Sequence, residues 1–258
     1  MRAIDQIKDG LSRYPLWLKL AMTDIRQTYK RSVIGIAWIA LSFAIFITAK
    51  IIVFGKISPV DPKYFSVWLT VGFWLWVSLS ASIVEGTNVF IHSRAWILGT
   101  RIPLTVFVFQ SIARIFIRSA FSAPVVLIVM LVMGYTPKLD WIWSALGLII
   151  IIINAAWVQL FLGVLCVKFR DMTHLVMAFV HVMFFLTPIL YTPDQFEAFA
   201  GFFNYNPFTH YIALVREPIV AGGLPVFHWQ VVIAMTIIGW GLAISALQGW
   251  GRRIPFWV

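Results

Sequence analysis

EGTNVFIHSRAWILGTRIP, residues 85–103, is a polar interruption between two long apolar runs, 64–84 before it and 104–133 after it. Val89, Phe90, Trp96, Ile97 and Leu98 are its apolar residues, and Glu85, Asn88, His92, Arg94 and Arg101 its polar ones. A stretch of this kind leaves a bilayer, forms a short amphipathic helix and returns. Pro103 suits the first turn of the next helix, where its missing N–H costs nothing. Two readings follow: a solvated connection, or a docking element that a soluble partner can push.

The chain has 258 residues, of which 61% are hydrophobic and 12% charged, with a mean hydropathy of +0.89. Soluble domains carry about 25% charged residues. The fold class expected is all-α: a polytopic membrane protein with six transmembrane helices. The apolar runs are 33–54, 64–84, 104–133, 141–167, 174–190 and 226–250, between a terminus over 1–32 and a tail over 251–258. The first run makes a helix of roughly 33 Å, which matches a hydrocarbon core of about 30 Å. Lys50 lies near its far end and can snorkel outward. The third run would reach roughly 45 Å, longer than a bilayer needs. Arg114 and Arg118 lie one turn apart on it, and Arg114 reads as an inner-interface residue. Arg118 either joins it or lines a polar path, where ionisable groups are functional.

Residues 1–12 are charged and expected to be loose. Over 14–31, Leu18, Met22, Ile25 and Tyr29 recur at helical spacing among Lys19, Asp24, Arg26, Lys30 and Arg31. That stripe, with Pro15 as a start signal, predicts an amphipathic helix in the membrane interface. Residues 191–225 hold four prolines and are expected to form short helices half-buried in the outer interface, with Phe196, Phe199, Phe202 and Phe203 as their apolar residues.

Basic residues orient the chain. Arg2, Lys8, Arg13, Lys19, Arg26, Lys30, Arg31, Arg94, Arg101, Lys168, Arg170, Arg252 and Arg253 fall on one side, thirteen in number, against Lys56, Lys63, Lys138 and Arg216 on the other. The excess predicts both termini in the cytoplasm. The net charge of +10 is therefore a membrane-topology signal, with no nucleic-acid partner implied. Cys166 is the one cysteine and forms no intrachain disulfide. No signal peptide is read in the first 31 residues. His174 and His181 share a helix face, but no carboxylate or cysteine joins them at metal-ligand spacing, so no metal site is assigned.

The chain holds no G-x-x-x-x-G-K-[ST] phosphate loop, no H-E-x-x-H and no G-x-S-x-G. Its spans carry no relay of acidic and histidine residues of the kind proton coupling needs. No catalytic residue is assigned, and energy for transport is expected from another polypeptide. A membrane transferase would need a convergent cluster, for which Asp194, Glu197, His210, Arg216 and Glu217 are the dense candidates. A scaffold or channel would need no docking loop.

Four ordered pieces carry a family resemblance: TYKRSVIGIAW at 28–38; GTRIPLTVFVFQSIARIFIRS at 99–119; NAAWVQLFLGVLCVKFRD at 154–171 running into VMFFLTPILY at 182–191; and NPFTHYIALVREPIVAG at 206–222, followed by RRIPFWV at 252–258. Together they resemble the permease subunits of type-2 ABC exporters, and within them the exporters of O-antigen, capsule and teichoic-acid polymers. TRIPLT stands where that family more usually has K-x-x-x-P-L-P.

The resemblance implies a homodimer beside two ATP-binding subunits in a bacterial inner membrane. ATP and Mg would be bound by those subunits and no cofactor by this chain. Residues 86–101 would form a coupling helix, with Glu85, Asn88, His92, Arg94 and Arg101 as the coupling residues. Residues 14–31 would be the interface helix framing a lateral opening for lipid-linked polysaccharide, and 194–222 a periplasmic gate. Arg26, Arg31 and Arg118 are then candidate contacts for the lipid phosphate. Trp38, Phe43, Phe46, Phe179, Phe184 and Phe185, in the first and fifth runs, are candidate channel aromatics. Rings suit the C–H faces of sugars, although aromatics also belt membrane interfaces and fill cores. A lipid or drug exporter of the same class is the nearest alternative.

Overall fold

A computed structural model describes residues 3–193, 195 and 200–258. Its elements among these residues are helical. They are α1 (Ala3–Ser12), α2 (Tyr14–Thr28), α3 (Trp38–Ile57), α4 (Pro62–His92), α5 (Arg94–Gly99), α6 (Leu104–Val132), α7 (Trp141–Lys168), α8 (Met172–Leu186), α9 (Ala200–Phe203), α10 (Pro207–Val220), α11 (Val226–Trp250) and α12 (Ile254–Trp257). Five segments are long and apolar enough to cross a membrane: those built on α3, α4, α6, α7 and α11. α8 is apolar but has only 15 residues. The chain is thus a multi-pass membrane protein.

Local chemistry sets the helix starts. The Asp61 carboxylate accepts from the Tyr64 N–H at 2.9 Å, with Pro62 opening α4. The Asn206 side chain accepts from the Phe208 N–H at 2.9 Å, and Pro207 opens α10. Both are N-caps that satisfy an orphan donor. α8 stops at Thr187, ahead of Pro188, which disfavours helix in the residue before it.

α4 and α7 form the central pair, with α6, α8, α10 and α3 packed around α4, and α10 and α11 against α7. Small residues let backbones approach, as expected inside lipid. A methyl on Gly86 would sit 3.0 Å from Gln159 Cα, and one on Gly147 would sit 3.0 Å from the Leu214 carbonyl oxygen. A polar knot ties the core. Asn154 donates to Thr236 Oγ1 at 2.8 Å and accepts from Trp157 Nε1 at 2.7 Å and Tyr211 OH at 2.9 Å.

Three expectations are corrected here. Residues 3–12 are not loose: α1 packs on α6 and α11, and Thr105 Oγ1 donates to the Gln6 carbonyl at 2.7 Å. The polar interruption does not begin at Glu85. α4 continues through His92, because Gly86, Val89 and Phe90 are buried against α7 and extend its packing stripe. The loop's own helix is only α5.

The third correction concerns 191–225. Phe196 and Phe199 lie outside the described residues. Phe203 is buried, Phe202 is exposed, and α10 is a core helix with ten buried residues. Arg216, read as an outer loop charge, is 2% exposed. Its guanidinium carbon lies 3.2 Å from the Trp68 ring centroid, and Nη1 donates to the Pro188 carbonyl at 2.8 Å. It therefore leaves the outer-side charge count.

Candidate functional site: an ion cluster behind the exposed helix α5

The ends of α4, α7 and α11 and the starts of α6 and α8 meet on the side of the bundle that holds α1, α2, α5 and α12. α5 has no buried residue, and Trp96 and Leu98 are more than half exposed. His92, Arg94 and Arg101 are exposed around it, so three of the five sequence-read coupling residues surround an apolar knob. Glu85 and Asn88 do not. They sit inside α4, half-buried, and Asn88 Nδ2 donates to Thr87 Oγ1 at 3.0 Å.

Glu85 instead belongs to an ion cluster that joins three helices. Arg114 of α6 donates from Nη1 to Asp24 of α2 at 2.8 Å and from Nη2 to Glu85 of α4 at 2.6 Å. Gln110 Nε2 donates to the same Asp24 oxygen at 2.9 Å, and Ser111 Oγ to Glu85 at 3.2 Å. Arg118, one turn on, is 4.0 Å from Glu85, and its Nε is buried without a hydrogen-bond partner. The side chains of Arg114, Asp24 and Glu85 keep a quarter to a third of their exposure. Charge-assisted bonds of this length are the strong ones.

Two cavities share Glu85. One, about 350 Å³, is polar; it lies between α2, α4 and α6 and is lined by Asp24, Glu85, His92, Trp96, Gln110 and Arg114. The other, about 430 Å³, is an open apolar groove between α3, α4 and α6. Its walls include Phe43, Phe46, Phe73 and Trp74, while Tyr29, Glu85 and Arg118 supply polar groups.

The stripe read over 14–31 divides by burial. Ile25 is fully buried, Met22 and Tyr29 half-buried, and Leu18 exposed, so Ala21 rather than Leu18 completes the packed face. α2 ends at Thr28, which leaves Tyr29 as its cap and Lys30 and Arg31 beyond it. Arg26, Lys30 and Arg31 are exposed, and of the three phosphate candidates Arg118 lines the apolar groove.

The channel candidates separate into two groups. Trp38, Phe46, Phe179 and Phe185 are exposed. Phe43 is buried and stacked on Phe73 at 6.2 Å, and Phe184 packs on Trp76 at 5.4 Å, so these two are core residues of the single chain. Lys50 does not reach outward: its Nζ lies 4.7 Å from the Phe73 centroid and 5.7 Å from that of Phe184. A cation over ring faces needs no water-facing exit.

Asp194 and Glu197 of the transferase cluster lie outside the described residues. The rest do not converge on a cavity. Arg216 faces Trp68, Glu217 pairs with His228 at 3.1 Å, and His210 shares a 2.8 Å contact with His228. Among the described residues no group of three metal-ligating side chains occurs.

Comparison with known proteins agrees with this architecture. Two O-antigen export system permease proteins RfbA of Klebsiella pneumoniae are each 25% identical to the chain. One aligns over 235 residues, 88% of this chain and 90% of the relative, and the other over 239, 91% and 90%. A Myxococcus xanthus protein of the same name is 22% identical over 176 residues, 68% of each chain. The ABC-2 type transporter family matches residues 16–220, from the first turn of α2 to the end of α10. A helical multi-pass bundle with that match over most of its length belongs to the ABC-2 type transporter family, as a membrane transport subunit rather than a catalytic enzyme.

Proposed function

We propose that the chain is the channel-forming permease of an ATP-driven exporter that carries lipid-linked polysaccharide, of the O-antigen or capsule kind, across the bacterial inner membrane. It acts as a homodimer with two copies of a separate ATP-binding subunit, which hold ATP and Mg. The observation that carries this reading is the coverage of the two Klebsiella relatives, which are export permeases by name and align over about nine-tenths of the chain. α8 makes the sixth crossing, which puts both termini, α5 and the turn after α7 in the cytoplasm, in line with the basic excess there. The exposed knob of Trp96 and Leu98 is the docking point for the ATP-binding subunit, and 194–222 is the outer gate. The groove beside Arg118 suits an amphiphile, with apolar walls for a hydrocarbon chain and a guanidinium for an anionic head.

The test is co-purification and reconstitution. The permease alone should hydrolyse no ATP. With its cognate ATP-binding subunit, a stable complex should form and move a lipid-linked polysaccharide into vesicles on ATP addition. Trp96→Ala and Arg94→Glu should abolish coupling while leaving the helical bundle folded. Transport of free lipid or drug but not of the polymer-bearing lipid would refute the substrate assignment. Normal export by both variants would refute the docking assignment.

A further inference from the structure

α6 offers a ladder of donors, Gln110, Arg114 and Arg118, spaced one turn apart, and two other helices each bring one carboxylate to it. The two bonds of Arg114 leave from different nitrogens of one planar guanidinium. Asp24 of α2 and Glu85 of α4 are therefore held by one rigid plate and keep a fixed relative position. α4 is also the helix that leads through Ser93 into the exposed α5. α2 reaches α4 through this plate while its own apolar residues, Ala21 and Ile25, rest on the bundle.

Fastening alone does not call for charge at this place. Apolar residues of similar volume hold helices as well as an ion pair does, without the desolvation cost. What the ion cluster adds is direction and reversibility. Its carboxylates keep a quarter to a third of their exposure and open on a polar cavity of about 350 Å³, so water can take over either bond as the helices shift.

We propose that Arg114 is the positioning residue that links α4 to α2, so that a displacement of α5 is delivered to the interface helix, with Asp24 as the contact that carries it. This rests on the exporter reading above, in which the ATP-binding subunit moves α5. Arg114 touches no substrate in this role; it sets where α2 sits in each state of the cycle.

The experiment uses the full exporter in lipid nanodiscs, with a nitroxide at the exposed Thr23 and the buried Cys166 replaced. In the parent protein the Thr23 spectrum should differ between the nucleotide-free and ATP-bound complexes. Asp24→Asn should give a mobile spectrum in both, and Asp24→Glu should restore the difference. Hydrolysis by Asp24→Asn should stay within about twofold of the parent while export falls at least about fivefold, the lower bound of a typical coupling free energy. A purely structural contact would lower the two together. The proposal is overturned if the parent spectrum ignores nucleotide, if Asp24→Asn keeps the nucleotide-dependent change, or if hydrolysis and export fall in proportion. Failure of the exporter reading looks different: the parent complex would not export polysaccharide. Even then, the Thr23 spectrum of the permease alone still shows whether Asp24 seats α2.

Discussion

Gly239 and Gly241 lie half a turn apart on α11 and have opposite surroundings. A methyl on Gly239 would fall inside the indole of Trp157, 2.6 Å from Cζ2 and closer still to Cδ2 and Cε2. Carbon pairs are at their optimum near 3.5–4.0 Å, so the ring must retreat by about 1 Å or more. Trp157 cannot retreat freely, because its Nε1 donates to Asn154 at 2.7 Å and Asn154 also holds Thr236 and Tyr211. Overpacking costs about 1–3 kcal/mol, and a strained or lost hydrogen bond about 1 kcal/mol more. The helix gains back up to about 1 kcal/mol when Ala replaces Gly. With that gain subtracted in full, Gly239→Ala should destabilise by about 1–3 kcal/mol. Nothing lies within 4 Å of a methyl on Gly241, so Gly241→Ala should keep only the gain of up to about 1 kcal/mol. Thermal unfolding in one detergent should put Gly239→Ala about 2–12 °C below the parent and Gly241→Ala at or above it. Equal melting of the two variants would show that α11 does not cross α7 at Trp157.

Arg216→Ala removes a desolvated cation–π contact and a charged hydrogen bond, each worth about 2 kcal/mol, and should lower the melting temperature clearly; Arg216→Lys should recover only part of the loss, since an ammonium cannot lie flat on Trp68. Phe43→Ala should cost about 3 kcal/mol, while Phe46→Ala, at 62% exposure, should leave melting unchanged and change export alone if that ring meets the polymer; equal melting losses would make both rings packing residues. Reporter fusions after Arg94 and after Gly223 should report opposite sides of the membrane, and equal readings would remove α8 as a crossing.

The long helices were legible because their signal is local. Residues 104–133 and 226–250 are long, predominantly apolar runs, and α6 and α11 occupy them almost residue for residue. The end of α4 was not legible. Gly86, Thr87 and Asn88 look like a loop until α7 is set beside them, and Gln159 and Gly163 are some seventy residues away in sequence. α10 misled for the same reason, since a proline-rich neighbourhood says nothing about the cavity its helix fills. In the site, the spacing of Arg114 and Arg118 was readable, but their partners were not. Asp24 lies 90 positions from Arg114, and no periodicity links α2 to α6. Phe43 and Phe46 had one sequence meaning and two structural ones, because a three-residue step turns a helix side chain by most of a turn but not onto the same neighbours.

α8 brings a mismatch of lengths to the bilayer around it. As the sixth crossing proposed above, its fifteen residues would rise about 22 Å, roughly 8 Å less than the hydrocarbon slab. Lipid next to such a helix must compress, at a fraction of a kcal/mol for each ångström. Two subunits would impose that dimple twice. A polar head moved between leaflets beside α8 would then meet a thinner oily layer than an unperturbed bilayer offers. In that proposed arrangement the short helix would lower the barrier by reshaping the solvent, a contribution that needs no side chain to touch the cargo.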